Sequence, residues 1–187
     1  MTGLVALWLP ILLSAVAVFV VSSIIHMALP WHKSDYPQLP NEAKVLDALR
    51  PFAIAPGEYF MPKPASSADM RTPAFQEKMK QGPVVIMTVL PNGPGSMGTR
   101  LVTWLVYCVV VGAFAAYVAH RTLSPGAMFN QVACVTGVVS FVGYGVGIWQ
   151  QSIWYSRPWM TTFKLTVDAV VYAAVTGAMF GWRWPAA

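Results

Sequence analysis

Residues 161–184, TTFKLTVDAVVYAAVTGAMFGWRW, have the length of a membrane span and contain one acidic side chain, Asp168, deep in apolar sequence. A carboxylate in lipid must be paired, protonated or turned towards water, so other helices have to be arranged around it. Lys164 precedes Asp168 by one helical turn, which places both side chains on one face. The stretch therefore predicts a membrane helix whose polar face is directed towards neighbouring helices.

The composition of the whole chain supports the same class of protein. Of its 187 residues, 56% are hydrophobic and 10% are charged, whereas soluble domains contain about 25% charged residues. The net charge is +5, but the basic residues form no stripe, which argues against a nucleic-acid-binding surface. Cys108 and Cys134 lie in separate apolar runs, as is typical of buried, inert thiols.

Three further apolar runs predict an all-α membrane protein built as a bundle of four transmembrane helices. They cover residues 4–29, about 100–120 and 128–150, and the fourth helix covers 161–182. The short links between the last three predict antiparallel neighbours. We therefore divide the chain into a first helix at 1–29, an insertion of 69 residues at 30–98 and three helices at 99–187.

The insertion is Pro-rich and holds six of the seven acidic residues and seven of the twelve basic ones. Asn41 can cap a helix that runs to about Arg50, and Thr72-Pro73 can start a second. The β-branched run 84–90 is a candidate strand. A segment of this size is too small to bury a sizeable core, so we expect an extramembrane region that packs on the membrane, the helices or a partner.

The distribution of basic residues predicts the orientation in the membrane. Only Arg121 and Arg183 lie in loops on the side of the two termini, and the other ten lie on the opposite side. By the positive-inside rule, residues 30–98 are expected in the cytoplasm and both termini outside.

A polar layer is expected inside the membrane near that cytoplasmic surface. His26 lies about one turn inside the end of the first helix, and Gln150 ends the third, at depths similar to those of Lys164 and Asp168. We expect Lys164 and His26 together to satisfy Asp168, either as a structural pairing or as a site that handles protons or other cations.

No cofactor is expected from the sequence. Metal ligation by His26 and His32 is disfavoured because Pro30 interrupts the helix between them, so a helical i,i+4 pair of ligands is not available. The glycine-rich stretch 92–98 lacks the Lys-Ser/Thr pair of a phosphate-binding loop.

Small residues recur at four-residue spacing, which predicts close helix packing in lipid. The positions are Gly143, Gly147, Ala173, Gly177 and Gly181. These ridges are expected to pack inside the bundle or to face a partner subunit or a second copy of the chain.

The first helix is followed by a compact mixture of aromatic and charged groups that a membrane–water boundary favours. Its members are Trp31, His32, Lys33, Asp35 and Tyr36. The run HMALPWHKSDY at 26–36, with LPNE at 39–42, QGP at 81–83 and VLPNGP at 89–94, resembles an uncharacterised group of bacterial four-span inner-membrane proteins. The resemblance covers nearly the whole chain and implies a bacterial inner membrane and a similar topology, but it implies no activity and no catalytic residues.

The sequence contains no catalytic constellation with enough members on one side of the membrane, so no enzyme is predicted. The leading hypothesis is a non-enzymatic accessory or scaffold subunit that packs against partner membrane proteins. The alternative is a small transporter or a proton- or ion-handling protein that uses His26 and Asp168. A membrane enzyme with its site in the insertion is the third and weakest option.

Overall fold

The computed structural model describes residues 4–186 and forms two compact units. The first, here called the helical unit, consists of residues 4–37 and 96–186. The second, the insertion unit, consists of residues 38–95. Residues 30–37 therefore belong with the helices and not with the insertion, because Ser34 and Asp35 accept hydrogen bonds from Lys164 on the last long helix.

The described residues are mostly helical, with one small sheet. In chain order the elements are α1 (Trp8–Ser23), α2 (Glu42–Leu49), β1 (Gly57–Met61), α3 (Pro73–Gln81), β2 (Val85–Val89), α4 (Met97–Thr122), α5 (Phe129–Tyr144), α6 (Trp149–Tyr155) and α7 (Trp159–Trp182). The expected helical class therefore holds for most of the described residues, and β1 and β2 add a two-stranded sheet.

Four helical segments are long and apolar enough to cross a membrane. They are Val5–Ala28, Met97–Thr122, Phe129–Tyr155 and Trp159–Trp182. The third joins α5 to α6 through a 3-10 turn at Val146–Ile148, where three glycines at alternate positions weaken the preference for an α-helix. It ends at Tyr155 and not at Gln150, so the link to α7 is only three residues long.

Each long helix packs against two others. α7 contacts α1 and α5, and α4 contacts the same two helices. Two apolar clusters fill the space between them. The first contains Ala15, Val18, Cys108, Val111, Tyr144, Ala169 and Tyr172. The second contains Leu7, Ala115, Ala116, Val132 and Phe180.

The small residues of α7 are directed towards α5. A Cβ placed on Gly177 would lie 2.6 Å from the carbonyl oxygen of Ala133, and one on Gly181 would lie 2.7 Å from the Phe129 ring. The carbonyl of Ala173 lies 3.4 Å from a Cβ placed on the facing glycine of α5. This ridge therefore packs against α5 within the chain.

The glycines near the end of α5 behave differently from one another. A Cβ on Gly143 would lie 3.2 Å from the Val111 side chain of α4, so this position also packs within the chain. A Cβ on Gly147 would meet nothing within 4 Å. The expected pair at these two positions is therefore not a single ridge.

The insertion unit contains a short antiparallel sheet and two helices. β1 pairs with β2 in a register that opposes Gly57 to Val89. The Thr72 side chain accepts a hydrogen bond from the amide of Phe75 and so caps α3, as its sequence predicts. Asn41 precedes α2 in a left-handed conformation and makes no side-chain cap, contrary to expectation. The run 84–90 supplies β2, while its partner β1 has no comparable signal in the sequence.

Candidate functional site

The site is formed where the first long helix ends. Its last turn, Ile24–Ala28, is a π turn, a feature that occurs often at functional sites. Pro30 cannot continue the helix, and the chain folds back through a 3-10 turn at Pro30–His32. His26, His32 and Asp35 consequently lie close to the half of α7 that carries the charged side chains Lys164 and Asp168.

The His32 ring lies between two carboxylates. Its Nδ1 is 2.6 Å from Oδ2 of Asp35, and its Nε2 is 2.8 Å from Oδ2 of Asp168. The side chains of both aspartates are nearly buried, with 7% and 6% of their surface exposed. Each ring nitrogen therefore has a single close partner, and each partner is a carboxylate oxygen.

A neutral imidazole has only one N–H, so it can satisfy only one of these two contacts. At the other contact a nitrogen lone pair would face a carboxylate oxygen, which is repulsive in a buried site. A proton or another cation between His32 and one of the carboxylates would satisfy both contacts.

Lys164 is held on the opposite side of Asp35. Its Nζ donates to Oγ of Ser34 and to Oδ1 of Asp35, both at 2.8 Å. The ammonium also lies 5.8 Å from the centroid of the Trp31 ring, which adds a cation–π contact. With 9% of its side chain exposed, Lys164 is fully engaged by residues 31–35.

Asp35 is ionised in this setting. Burial alone would raise the pKa of its carboxyl, because burial disfavours the charged form. Hydrogen bonds from Lys164 and His32, together with their charges, outweigh burial and hold the pKa of Asp35 below its usual range. Asp35 and Lys164 thus neutralise each other, and Asp168 has His32 as its close polar partner.

His26 completes the cluster. Its ring stacks on the His32 ring with 4.3 Å between centroids and an angle of 27°. Its Nε2 is 3.3 Å from the hydroxyl of Tyr172, which lies one turn beyond Asp168 on α7. One ligand atom from each of His26, His32 and Asp168 lies within 4.8 Å of the other two. Two imidazoles and a carboxylate therefore converge on one small volume.

The arrangement differs in three ways from the expected polar layer. Asp168 pairs with His32, while Lys164 reaches past it to Asp35 because residues 30–37 fold against α7. His26 contacts Asp168 only through the stacked ring of His32. Gln150 is exposed on α6 and makes no hydrogen bond to the cluster among the described residues.

The aromatic and charged segment after the first helix is divided between two environments. His32 and Asp35 are turned inwards, whereas Lys33 and Tyr36 are exposed. Pro30 does interrupt the helix, as the sequence predicts, but the π and 3-10 turns around it still bring the His26 and His32 rings into contact. The i,i+3 spacing of His32 and Asp35 is the only local signal for their pairing.

Buried polar side chains continue along α7 below the site. Asp168, Tyr172 and Thr176 follow one another at single-turn spacing, and all three are buried. Ser140 on α5 is also buried, and its hydroxyl has no hydrogen-bond partner within the described part of the chain. The stripe stops at Phe180, which is fully buried in the second apolar cluster.

None of the protein families, curated proteins and solved structures compared with this chain matches it.

Proposed function

We propose that this chain is a multi-pass membrane protein that binds a cation between His32 and Asp168 and passes it along the buried face of α7. The observation that carries the proposal is the contact of both His32 nitrogens with carboxylate oxygens. One positive species at His32 would satisfy both contacts, and Lys164 does not supply it because its ammonium is engaged by Asp35 and Ser34.

The buried stripe below the site supports movement of the cation and not only its storage. Tyr172 and Thr176 place two further buried hydroxyls on the same face of α7, and Ser140 adds a buried hydroxyl without a described partner on α5. Phe180 and its apolar neighbours close that end. In this proposal the cation moves past these hydroxyls, and the apolar cluster around Phe180 blocks the far end until the helices rearrange. A carrier that opens to one side at a time needs such a closed end.

In this proposal the four long helices form a transmembrane bundle and residues 38–95 lie outside the membrane. Ten basic residues then lie on the side of the insertion unit, which the positive-inside rule assigns to the cytoplasm, with both termini outside. Together with the resemblance carried by residues 26–36, this orientation favours a bacterial inner membrane.

The decisive variant is Asp168→Asn. An asparagine amide can donate to Nε2 of a neutral His32 while Nδ1–H donates to Asp35, so the hydrogen bonds are satisfied without a cation. The variant is therefore expected to fold and to lose the need for a bound cation.

The test uses the purified full chain reconstituted in liposomes. One arm follows internal pH with a trapped indicator under an imposed membrane potential, and the other follows uptake of divalent cations with a trapped chelating dye. We expect wild-type protein to move a cation in one arm and Asp168→Asn to abolish that flux. Asp47→Asn, at an exposed ion pair of the insertion unit, is the matched control and should retain it.

Failure of the wild-type protein to move any cation in either arm would overturn the proposal. Equal flux through wild type and Asp168→Asn would also overturn it, because transport would then not use the site. Size-exclusion chromatography of each variant in detergent checks that it remains folded, and Asp168→Glu, which keeps the charge, should retain flux.

A second candidate function, an accessory or scaffold subunit, is favoured by the insertion unit. Among its described residues, 38–95, only Phe75 is buried. On α2, Val45, Leu46 and Leu49 are each more than a third exposed. A unit with so few buried residues would gain stability if its exposed apolar side chains were buried against a partner protein. The glycine ridge of α7 packs on α5, so this candidate rests on the insertion unit.

The accessory-subunit candidate predicts stoichiometric co-migration with other membrane proteins after mild-detergent extraction. Leu46→Glu should abolish that co-migration, and Lys44→Glu on the same helix should not. Migration of the wild-type chain alone or as a homo-oligomer would exclude this function.

A further inference from the structure

We infer that His26, His32 and Asp168 bind a first-row transition metal ion of the Zn²⁺ type, with Asp35 as the positioning residue for His32. The inference rests on the proposed function, because it assigns the chemical class of the cation at the same site. It selects this class over a proton and over hard ions such as Mg²⁺ or Ca²⁺.

The types of ligand atom indicate which class of metal ion the site would bind. Two imidazole nitrogens and one carboxylate oxygen suit Zn²⁺ and its neighbours, whereas Mg²⁺ and Ca²⁺ prefer sites made of oxygen. Zn²⁺ sites that exchange a ligand have three protein ligands and one open position, whereas structural Zn²⁺ sites have four protein ligands. Three ligands therefore fit a site that loads and releases an ion.

The candidate ligand atoms are near enough to share one ion once the His26 ring has turned. Ligand atoms about 2.0–2.1 Å from Zn²⁺ at tetrahedral angles lie roughly 3.4 Å from one another. Nε2 of His32 and Oδ2 of Asp168 are 2.8 Å apart, and all three candidate ligand atoms lie within 4.8 Å of one another. Bonding distance for all three requires a longer His32–Asp168 contact and a rotation of the His26 ring out of its stack on His32, because an imidazole binds a metal in the plane of its ring.

The partner of His32 matches the one that metal-bound histidines require. Metal-ligating histidines almost always donate their second N–H to a carboxylate or carbonyl, which fixes the tautomer and the ring. Asp35 accepts from Nδ1 of His32 and so directs the Nε2 lone pair at Asp168. Lys164 neutralises Asp35, so that carboxylate does not compete for the ion.

An access route reaches the site at His26. This side chain lines a cavity of about 460 Å³ between the first long helix and α4, together with Ser22, Met27, Arg100 and Trp104. His26 is the most exposed of the three ligands, and Asp168 is the most buried. An ion entering from the cavity would therefore meet His26 first and displace its contact with Tyr172.

The experiment measures binding without transport. Tag-free full-length protein in detergent is stripped with a chelator, dialysed against Zn²⁺ and analysed for metal per chain, and Co²⁺ is titrated to give the visible absorption of a low-symmetry site. We expect one ion per chain, with affinity at least about 100-fold weaker in His26→Gln, His32→Gln and Asp168→Asn. Asp35→Asn should weaken binding by about 10–100-fold, the usual effect of removing such a partner.

His120→Gln is the matched control, because His120 lies in the last turn of α4, away from the site. Binding that is unchanged in the three ligand variants, or reduced as much by His120→Gln, would overturn the inference. Asp168→Glu keeps the charge and the carboxylate ligand, so loss of Zn²⁺ in Asp168→Asn with retention in Asp168→Glu supports ligation over loss of fold.

The outcomes separate this inference from the function on which it rests. Proton flux that depends on Asp168, without Zn²⁺ binding, would overturn the metal assignment and leave the cation-handling function intact. Zn²⁺ binding at the three ligands without any flux would support the metal site and overturn transport. Absence of both binding and flux would overturn both.

Discussion

The two halves of α7 are held in place by different physical forces. In its first half, Lys164 and Asp168 form short hydrogen bonds to side chains of residues 32–35. In its second half, Gly177 lets the helix approach the backbone of α5, and Phe180 is enclosed by apolar side chains. One helix thus combines a charged anchor at one end with close apolar packing at the other.

The comparison shows which changes each half tolerates. Lipid is as apolar as a leucine side chain, so the packed half gains from close contact and not from removal of apolar surface from water. The charged half depends on complete pairing, because a charge left alone in a buried site is far more costly than a lost contact. The largest single-residue effects are therefore expected among the charged residues.

The largest expected effect is that of Lys164→Met. Removing the ammonium leaves the Asp35 carboxylate without its cation and should lower the free energy of unfolding by about 3–5 kcal/mol. Asp35→Asn in the same chain should restore much of this loss, since it removes the uncompensated charge. The measurement is reversible unfolding in mixed micelles, followed by tryptophan fluorescence.

The exposed pair of Arg50 and Asp47 provides the control, because Arg50→Met should cost little. A double-mutant cycle that couples Lys164 to Asp168 more strongly than to Asp35 would contradict the structure and restore the pairing expected from the sequence.

Gly177→Ala should have the next largest effect. The added methyl would lie 2.6 Å from the carbonyl oxygen of Ala133, so α5 and α7 must separate, at a cost of roughly 1–3 kcal/mol. Gly147→Ala is the matched control, because its methyl would meet nothing within 4 Å. Equal unfolding free energies for the two variants would show that α7 does not pack on α5 in this way.

A neutral hydrogen bond between α1 and α4 should contribute less to stability than either half of α7. Nε1 of Trp104 on α4 donates to Oγ of Ser22 at 2.8 Å, and Trp104→Phe should lower the unfolding free energy by about 0.5–1.5 kcal/mol. Nε1 of Trp149 donates to Thr166 at an exposed position, so Trp149→Phe should have a smaller effect. The reverse order would mean that the contact between α1 and α4 is not formed.

The sequence predicts the four long helices because an apolar run of this length has few other structures available to it. It also identifies Asp168, Lys164 and His26 as unusual, since ionisable groups within such runs are rare. The partners of Asp168 and Lys164 lie about 130 residues away, and no local pattern selects His32 and Asp35 over the exposed Lys33.

The sequence also does not determine which neighbouring helix each ridge of small residues contacts. Four-residue spacing predicts close approach on one helical face but does not state which neighbour that face meets. Ala173 and Gly177 meet α5 of the same chain, while Gly147 meets no side chain. Only the positions of the other helices distinguish these cases.

Ser140→Ala should have the smallest effect on stability and is the variant that most directly separates packing from function. Its hydroxyl is buried and has no partner among the described residues, so removing it should leave the unfolding free energy unchanged or slightly higher. Thr136→Val is the control one turn away, since the Thr136 hydroxyl already bonds the carbonyl of Val132. If the stripe below Asp168 conducts a cation, Ser140→Ala should lower the flux measured in liposomes while Thr136→Val leaves it unchanged. Equal flux in wild type and in both variants would show that Ser140 takes no part in cation movement, so that only the cluster around His32 could do so.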